Sequence, residues 1–201
     1  MDEKELKILG KDENYWWFKA KENLIRDIIE PGFRVLNIAP GVFDYEGADN
    51  WRGDLCKGLP YNNYIYDYVI LADVLEHIPK HNREKVLLEI NRVLIPGGKL
   101  IITVPAYQWL YGPHDVFLGH INRYSKYKLK CETYMFDTIK IRYWNSFLAP
   151  FCIFRKLTNT EGSDFKKLPK WLNYLLYKII SLEKYLWFPF GITIVGVFRK
   201  K

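Results

Sequence analysis

The chain has 201 residues, of which 49% are hydrophobic and 26% charged, with a formal net charge of +7. This balance excludes a disordered chain, and the length suits one compact domain better than two. Three distant cysteines argue against a disulfide framework and a zinc site, and they favour a reducing, cytoplasmic setting: Cys56, Cys131 and Cys152. No uncharged apolar run reaches about 18 residues, so we expect no membrane span.

The positive charge permits an anionic partner, but the basic residues are scattered along the chain. They concentrate only at Lys126, Lys128 and Lys130 and at the terminal residues 199–201. A solvated basic surface is therefore a simpler interpretation than a nucleic-acid surface, and we expect no specific nucleic-acid partner.

In the first half of the chain, helical and strand-like patterns alternate. Apolar residues recur at helical spacing in two segments, and three short apolar runs have the continuous character of buried parallel strands. The predicted helices cover 13–30 and 83–94, and the predicted strands cover 34–39, 66–72 and 99–105. Pro31-Gly32 and the PGG at 96–98 predict the ends of the two helices.

The second half begins with a long polar and aromatic segment over 106–125, and loops of that length are usually functional. Further patterns predict helices over 126–136 and 168–188, and strands over 138–144 and 191–200. Strands alternating with helices in this way predict an α/β fold with a mainly parallel sheet.

Several stretches resemble class I S-adenosylmethionine-dependent methyltransferases, in the branch of the type 11 methyltransferase domains. They follow the family's order and read YWWFKAKENLI, YDYVILADVLEHI, EINRVLIPGGKLIITVPA, HDVFLGHINRYS and FPFGITIVGVFRK. The resemblance implies a Rossmann-like, mainly parallel sheet with an antiparallel last strand, helices on both faces, and S-adenosylmethionine as cofactor. It also implies one domain over 1–201, divided into an N-terminal helix (13–30), a cofactor-side core (33–105), an acceptor loop (106–125) and a C-terminal part (126–201).

The segment after the first strand is shorter than the family pattern. Residues 37–41 read NIAPG, so an acidic residue is replaced by Asn37 and only Gly41 keeps a family glycine. A parallel crossover with its helix needs about a dozen residues. We therefore expect the first two family helices to be lost or reduced to turns, and the sheet to be contracted on the side of its second and third strands.

The resemblance assigns the ribose hydroxyls to Asp49, with Asp44 or Glu46 as substitutes, and the adenine side to Asp54. The full set expected to bind the cofactor is Asn37, Ala39, Gly41, Asp49, Asp54, Leu55, Ala72 and Asp73.

Residues for the chemistry follow the fourth strand of the family sheet and lie in the acceptor loop. A base is needed only where the acceptor carries a proton, and histidine titrates near neutral pH. The candidates are His114, Asp115 and His120 for catalysis, and His77, Arg123 and Tyr124 for substrate binding. Hydrogen bonding to a backbone carbonyl is an equal alternative for His120 and the favoured one for His77.

The amphipathic segment over 171–188 has three interpretations: a packed lid or core helix, a homodimer surface, or a helix resting on a membrane. Together these patterns predict methyl transfer to a small-molecule or lipid- or glycan-linked acceptor. The alternatives are a catalytically inactive binding module and, less favoured, an RNA-modifying enzyme.

Overall fold

The computed structural model describes residues 15–41, 44–157, 169–186 and 188–201. The helices are α1 (Trp16–Arg26), α2 (Lys80–Val93), α3 (Pro113–Phe117), α4 (Lys126–Glu132), α5 (Ala149–Leu157) and α6 (Lys170–Ser181). The strands are β1 (Val35–Ile38), β2 (Asp49–Trp51), β3 (Tyr66–Ala72), β4 (Leu94–Pro105), β5 (Phe136–Trp144) and β6 (Thr193–Lys200).

The strands form one six-stranded sheet in the order β2–β1–β3–β4–β6–β5. β1, β2, β3 and β4 run parallel, whereas β6 is antiparallel to both β4 and β5. The predicted mainly parallel sheet with an antiparallel last strand is thereby confirmed.

Both faces of the central strands are buried, which explains their continuous apolar sequence. In β3, Val69 and Leu71 face the core beneath α2, whereas Tyr68 and Ile70 join Ile25 of α1 on the opposite face. Side chains alternate between the two faces of a strand, so a strand covered on both sides needs apolar residues at nearly every position.

The sheet is contracted at the edge that carries β2, as the sequence predicted. β2 has only three residues, and the described residues among 39–48 connect it to β1 without a helix. The next segment, Leu55–Lys57, is a single 3-10 turn. The connections are therefore too short to cover this edge with helices of their own.

Several element boundaries differ from the sequence prediction. β4 begins at Leu94, so the PGG at 96–98 lies inside the strand, where the register with β3 shifts. Pairing of Leu94 with Tyr66 extends the strand back to the end of α2. The segment over 106–125 contains a 3-10 turn and α3, and α5 was not predicted.

The C-terminal helix α6 packs against α1. The side-chain amide of Asn23 donates a hydrogen bond to the hydroxyl of Tyr177 over 2.7 Å, and the backbone N–H of Trp16 donates to Asn173 Oδ1 over 2.9 Å. None of the helices in the described part of the chain has the length and apolarity that crossing a bilayer requires. Predicted helix residues 13, 14, 168 and 187 lie outside the described residues.

Neighbouring leucines of α2 provide a test of the core. Leu87 is fully buried and Leu88 is 54% exposed. We expect Leu87→Ala to lower the free energy of unfolding by about 2–5 kcal/mol, because it leaves a cavity. Leu88→Ala should change it by no more than about 0.5 kcal/mol. Urea unfolding measures both, and equal losses would contradict this packing.

Candidate active site

A cleft of about 280 Å³ opens where β1 and β3 end, and α1 forms its opposite wall. Ligands of open α/β sheets bind at the carboxyl ends of the strands, and typical ligand pockets measure about 300–1,000 Å³. The cleft is lined by Phe18, Lys21, Glu22, Ile25, Asn37, Ala39, Pro40, Gly41, Tyr45, Ile70, Ala72, Asp73, Val74 and His77. Another depression, of about 210 Å³, includes Lys99 and Arg142 and lies away from these strand ends.

The structure brings part of the predicted cofactor set together in this cleft: Asn37, Ala39, Gly41, Ala72 and Asp73. Ala39 and Asp73 both have positive φ angles, of 49° and 54°. Residues with a Cβ rarely adopt this region, and such strain concentrates at ligand sites. Both residues directly follow a strand, so the strain accompanies the sharp turn of the chain into the cleft.

Asn50 organises the shortened connection between β1 and β2. Its Oδ1 accepts hydrogen bonds from the side chain of Asn37 and from the backbone N–H of Tyr45, each over 2.8 Å. Its amide group donates to the backbone carbonyls of Tyr45 and Ala48. The hydrogen bonds of this one side chain thus fix the path of a connection that has no helix. They also hold Tyr45 at the wall of the cleft.

Asp73 places a carboxylate in the cleft where β3 ends. Its carboxylate is paired with the ammonium of Lys21 and accepts a hydrogen bond from Thr103 Oγ1 over 2.7 Å. Burial opposes the ionised form, but Lys21 and Thr103 outweigh it and lower the pKa of Asp73. This carboxylate is therefore ionised at neutral pH.

Sequence reasoning missed the contribution of α1. Lys21 and Glu22 both line the cleft, although in the sequence they are only charges between the apolar positions of a helix. Tyr45 was missed as well, because it belongs to a connection with no regular pattern. The only sequence signal for a contribution from α1 was the shortness of the connection between β1 and β2. A connection that short cannot form both walls of the cleft, so another element must form one of them.

Three members of the predicted cofactor set do not line the cleft. Asp49 lies at the amino end of β2 and accepts a hydrogen bond from Tyr66 Oη over 2.6 Å. Asp54 is exposed and accepts a hydrogen bond from the backbone N–H of Cys56, while Leu55 is buried in the core. A parallel sheet places ligands at the carboxyl ends of its strands, whereas Asp49 stands at the opposite end of β2.

The two substitutes considered for the ribose contact lie on the surface. Asp44 pairs with Arg52 over 2.6 Å, and Glu46 lies 3.5 Å from Arg26. Neither residue lines the cleft.

The acceptor loop contributes a network around a buried carboxylate. Asp115 Oδ1 lies 2.9 Å from Nδ1 of His120 and accepts a hydrogen bond from Nε of Arg123 over 2.8 Å. Its other oxygen accepts the backbone N–H of Gly112 over 3.0 Å. Burial opposes ionisation, but His120 and Arg123 outweigh it and lower the pKa of Asp115 to about 2. The charged Asp115 therefore fixes the ring of His120.

His77 and Glu76 connect this network to the cleft. His77 lines the cleft, and its ring centroid lies 4.9 Å from that of His120. Oε1 of the fully buried Glu76 lies 3.9 Å from Nε2 of His120. Burial lowers the pKa of His77 to about 4 and raises that of Glu76 well above its ordinary value.

Tyr124 was predicted to bind substrate, but it is fully buried. Its hydroxyl oxygen lies within hydrogen-bond distance of two acceptors, Leu75 O at 3.3 Å and Glu132 Oε2 at 3.2 Å. These contacts hold the loop against the sheet and do not face the cleft. Arg123 forms an ion pair with Asp115. His114 lies in α3, next to Asp115 in the sequence.

Comparison with known proteins finds one family model that matches part of the chain. Residues 37–102 match the family model described as "Methyltransferase domain". A search of curated proteins gave no match. This match supports the resemblance to class I S-adenosylmethionine-dependent methyltransferases that the sequence predicted, and S-adenosylmethionine is the cofactor of that superfamily.

Solved structures of low sequence identity share the fold. One from Thermotoga maritima, described as a possible histamine N-methyltransferase, is 13% identical, with a TM-score of 0.59 and coverage of 99% of this chain and 94% of the other. A methyltransferase from Archaeoglobus fulgidus is 14% identical, with a TM-score of 0.55 and coverage of 94% and 97%. The methyltransferase bound to the Trm112 activator in Haloferax volcanii is 16% identical, with a TM-score of 0.57 and coverage of 96% and 92%.

Asn50 provides a test of the shortened connection. Asn50→Ala removes four hydrogen bonds around Asn37, Tyr45 and Ala48, so we expect a loss of about 1–3 kcal/mol in the free energy of unfolding. The exposed Asn62, changed to alanine, is the matched control. Chemical denaturation measures both variants, and an unchanged stability of Asn50→Ala would refute this role.

Proposed function

We propose that this chain transfers a methyl group from S-adenosylmethionine to a hydroxyl or amine of an acceptor with an apolar body. The acceptor is a small molecule or a lipid-linked compound. The observation that carries this proposal is the continuity of the site: the cleft at the ends of β1 and β3 leads through His77 to the fixed imidazole of His120.

The cleft offers the groups that the cofactor requires. The backbone at Ala39 and Gly41 permits close approach to the methionine part, and the carboxylate of Asp73 suits a cationic ligand. Glu22 is the carboxylate of the cleft wall that we assign to the ribose hydroxyls, and Tyr45 offers a ring to the base. We propose this set in place of Asp49 and Asp54, since those two residues do not line the cleft.

The bound cofactor supplies an electrophilic methyl group for in-line displacement. The protein must orient the acceptor and remove its proton, because a neutral hydroxyl or ammonium is a poor nucleophile. We assign activation of the acceptor to His120, whose Nδ1 is held by Asp115, so that Nε2 is presented on the side of Glu76 and His77. Asp115 is the positioning residue of this pair.

The apolar body of the acceptor is inferred from the surface of the acceptor loop. Four large apolar side chains of this segment are about half exposed or more: Trp109, Val116, Phe117 and Ile121. The segment contacts the site directly, because the backbone N–H of Ile121 donates to the carbonyl of Glu76 over 2.9 Å. Exposed apolar patches of this kind are typical of ligand-binding surfaces.

One observation favours the alternative of a binding module without catalysis. The ammonium of Lys21 occupies the carboxylate of Asp73 at the centre of the cleft. A cationic cofactor must displace or accommodate that ammonium. A measurement of cofactor binding therefore distinguishes the methyltransferase from the binding module.

Isothermal titration with S-adenosylmethionine and S-adenosylhomocysteine tests the cofactor site. We expect saturable binding by the wild type, and at least tenfold weaker binding by Asp73→Asn, about 1.4 kcal/mol, because the central negative charge is lost. Asp54→Asn is the control, since Asp54 is exposed outside the cleft. If both substitutions weaken cofactor binding equally, the assignment of Asp54 to the cofactor, which the sequence predicted, is favoured. If the wild type does not bind the cofactor, the binding module is favoured.

Transfer of labelled methyl from S-adenosylmethionine into cell extract tests the reaction. We expect label in the organic phase, where lipid-linked and apolar acceptors partition, and at least a hundredfold less with His120→Ala, which is the typical contribution of about 10²–10⁴ for acid–base catalysis. The exposed His81, changed to alanine, is the control. A wild type that binds the cofactor but transfers no label would contradict the enzymatic proposal.

A further inference from the structure

Three potential metal ligands converge at the inner end of the cleft. The coordinating atoms of Glu76, His77 and His120 all lie within 4.8 Å of one another. The first two are neighbours in a 3-10 turn after β3, and the third comes from the acceptor loop. Segments far apart in the sequence thus bring two imidazoles and one carboxylate to a single point.

Both histidines are oriented by an acceptor at Nδ1. Nδ1 of His77 lies 3.1 Å from the carbonyl of Gly119, and Nδ1 of His120 lies 2.9 Å from Asp115 Oδ1. Proton donation from Nδ1 leaves Nε2 with its lone pair available. Metal-binding histidines usually have this second interaction with a carbonyl or carboxylate, which fixes both the tautomer and the ring.

The burial of Glu76 is a second, independent observation at this point. It is fully buried, and neither of its carboxylate oxygens has a hydrogen-bond partner among the residues that the structure describes. Buried carboxylates are normally hydrogen-bonded, paired or coordinated to a metal, because desolvation without compensation is strongly unfavourable. The carboxylate lies beside Nε2 of His120, on the side where an ion would be bound.

We propose that Glu76, His77 and His120 bind a divalent transition-metal ion of the zinc type, with Asp115 as the residue that orients His120. Two histidines and one glutamate form a known donor set for zinc sites with an open fourth position. Ligand atoms in a tetrahedral zinc site lie about 3.4 Å apart, so the side chains close in by about an ångström as the ion binds. The open fourth position faces the cleft, because one of the three ligands, His77, lines the cleft.

This site refines the role of His120, and that part of the inference rests on the proposed function. A hydroxyl oxygen of the acceptor would fill the fourth position, where the ion lowers the pKa of the hydroxyl. Its proton passes to solvent water, and the oxygen then forms the bond to the methyl group as the bond between methyl and sulfur breaks. His120 would then activate the acceptor as a ligand of the ion and not as a free base.

Titration of the purified, chelator-treated protein with Co²⁺ tests the site without any methyl-transfer assay. We expect one equivalent to bind and to give the visible absorption of four-coordinate cobalt, and Zn²⁺ to abolish that spectrum by displacement. Zn²⁺ should also raise the thermal midpoint of unfolding, because it binds only the folded chain. A wild type that gives neither the spectrum nor the shift would overturn the proposal, even if methyl transfer is observed.

Four variants assign the ligands. Glu76→Gln keeps the shape of the side chain and His120→Ala removes a ligand, and each should weaken Zn²⁺ binding by more than about a hundredfold. Asp115→Asn should weaken it by about 10–100-fold. His81→Ala, on the exposed side of α2, should bind as the wild type does. Thermal unfolding of the metal-free variants confirms folding, and unchanged Zn²⁺ affinity of Glu76→Gln would overturn the site.

Discussion

The shortness of the chain between β1 and β2 is the constraint on which this structure depends. A connection without room for a helix forms only one side of the cleft, with residues such as Pro40, Gly41 and Tyr45. The opposite wall is formed by α1, whose Lys21 reaches Asp73 across the cleft. Asn50 compensates on the other side by holding the turn with side-chain hydrogen bonds. The short connection does not change the rest of the sheet. The central strands are stabilised by the burial of both their faces between two layers of helices.

Three carboxyl groups in and beside the cleft differ in their ionisation. The pKa of Glu76 is raised, whereas the pKa values of Asp73 and Asp115 are lowered. The difference follows from the ion pairs: Lys21 pairs with Asp73 and Arg123 pairs with Asp115. The oxygens of Glu76 have no hydrogen-bond partner in the described structure, and Nε2 of His120 is 3.9 Å away from Oε1.

The acceptor side depends on a rigid support. The buried Tyr124 ties the loop to the carbonyl of Leu75, and Arg123 forms an ion pair with Asp115. Asp115 thereby holds both the guanidinium of Arg123 and the imidazole of His120. Trp109 and Phe117 of the same segment are exposed.

The sequence by itself determined the succession of the main strands and helices along the chain, the contraction and the residues of the turn at 37–41. Each of these follows from local pattern or from chain length. Only the tertiary structure decided which charges meet. It removed Asp49 and Asp54 from the cleft, since the strand end on which a residue stands depends on register. It also added Lys21, Glu22 and Tyr45, because contacts between distant segments have no periodic signal in the sequence.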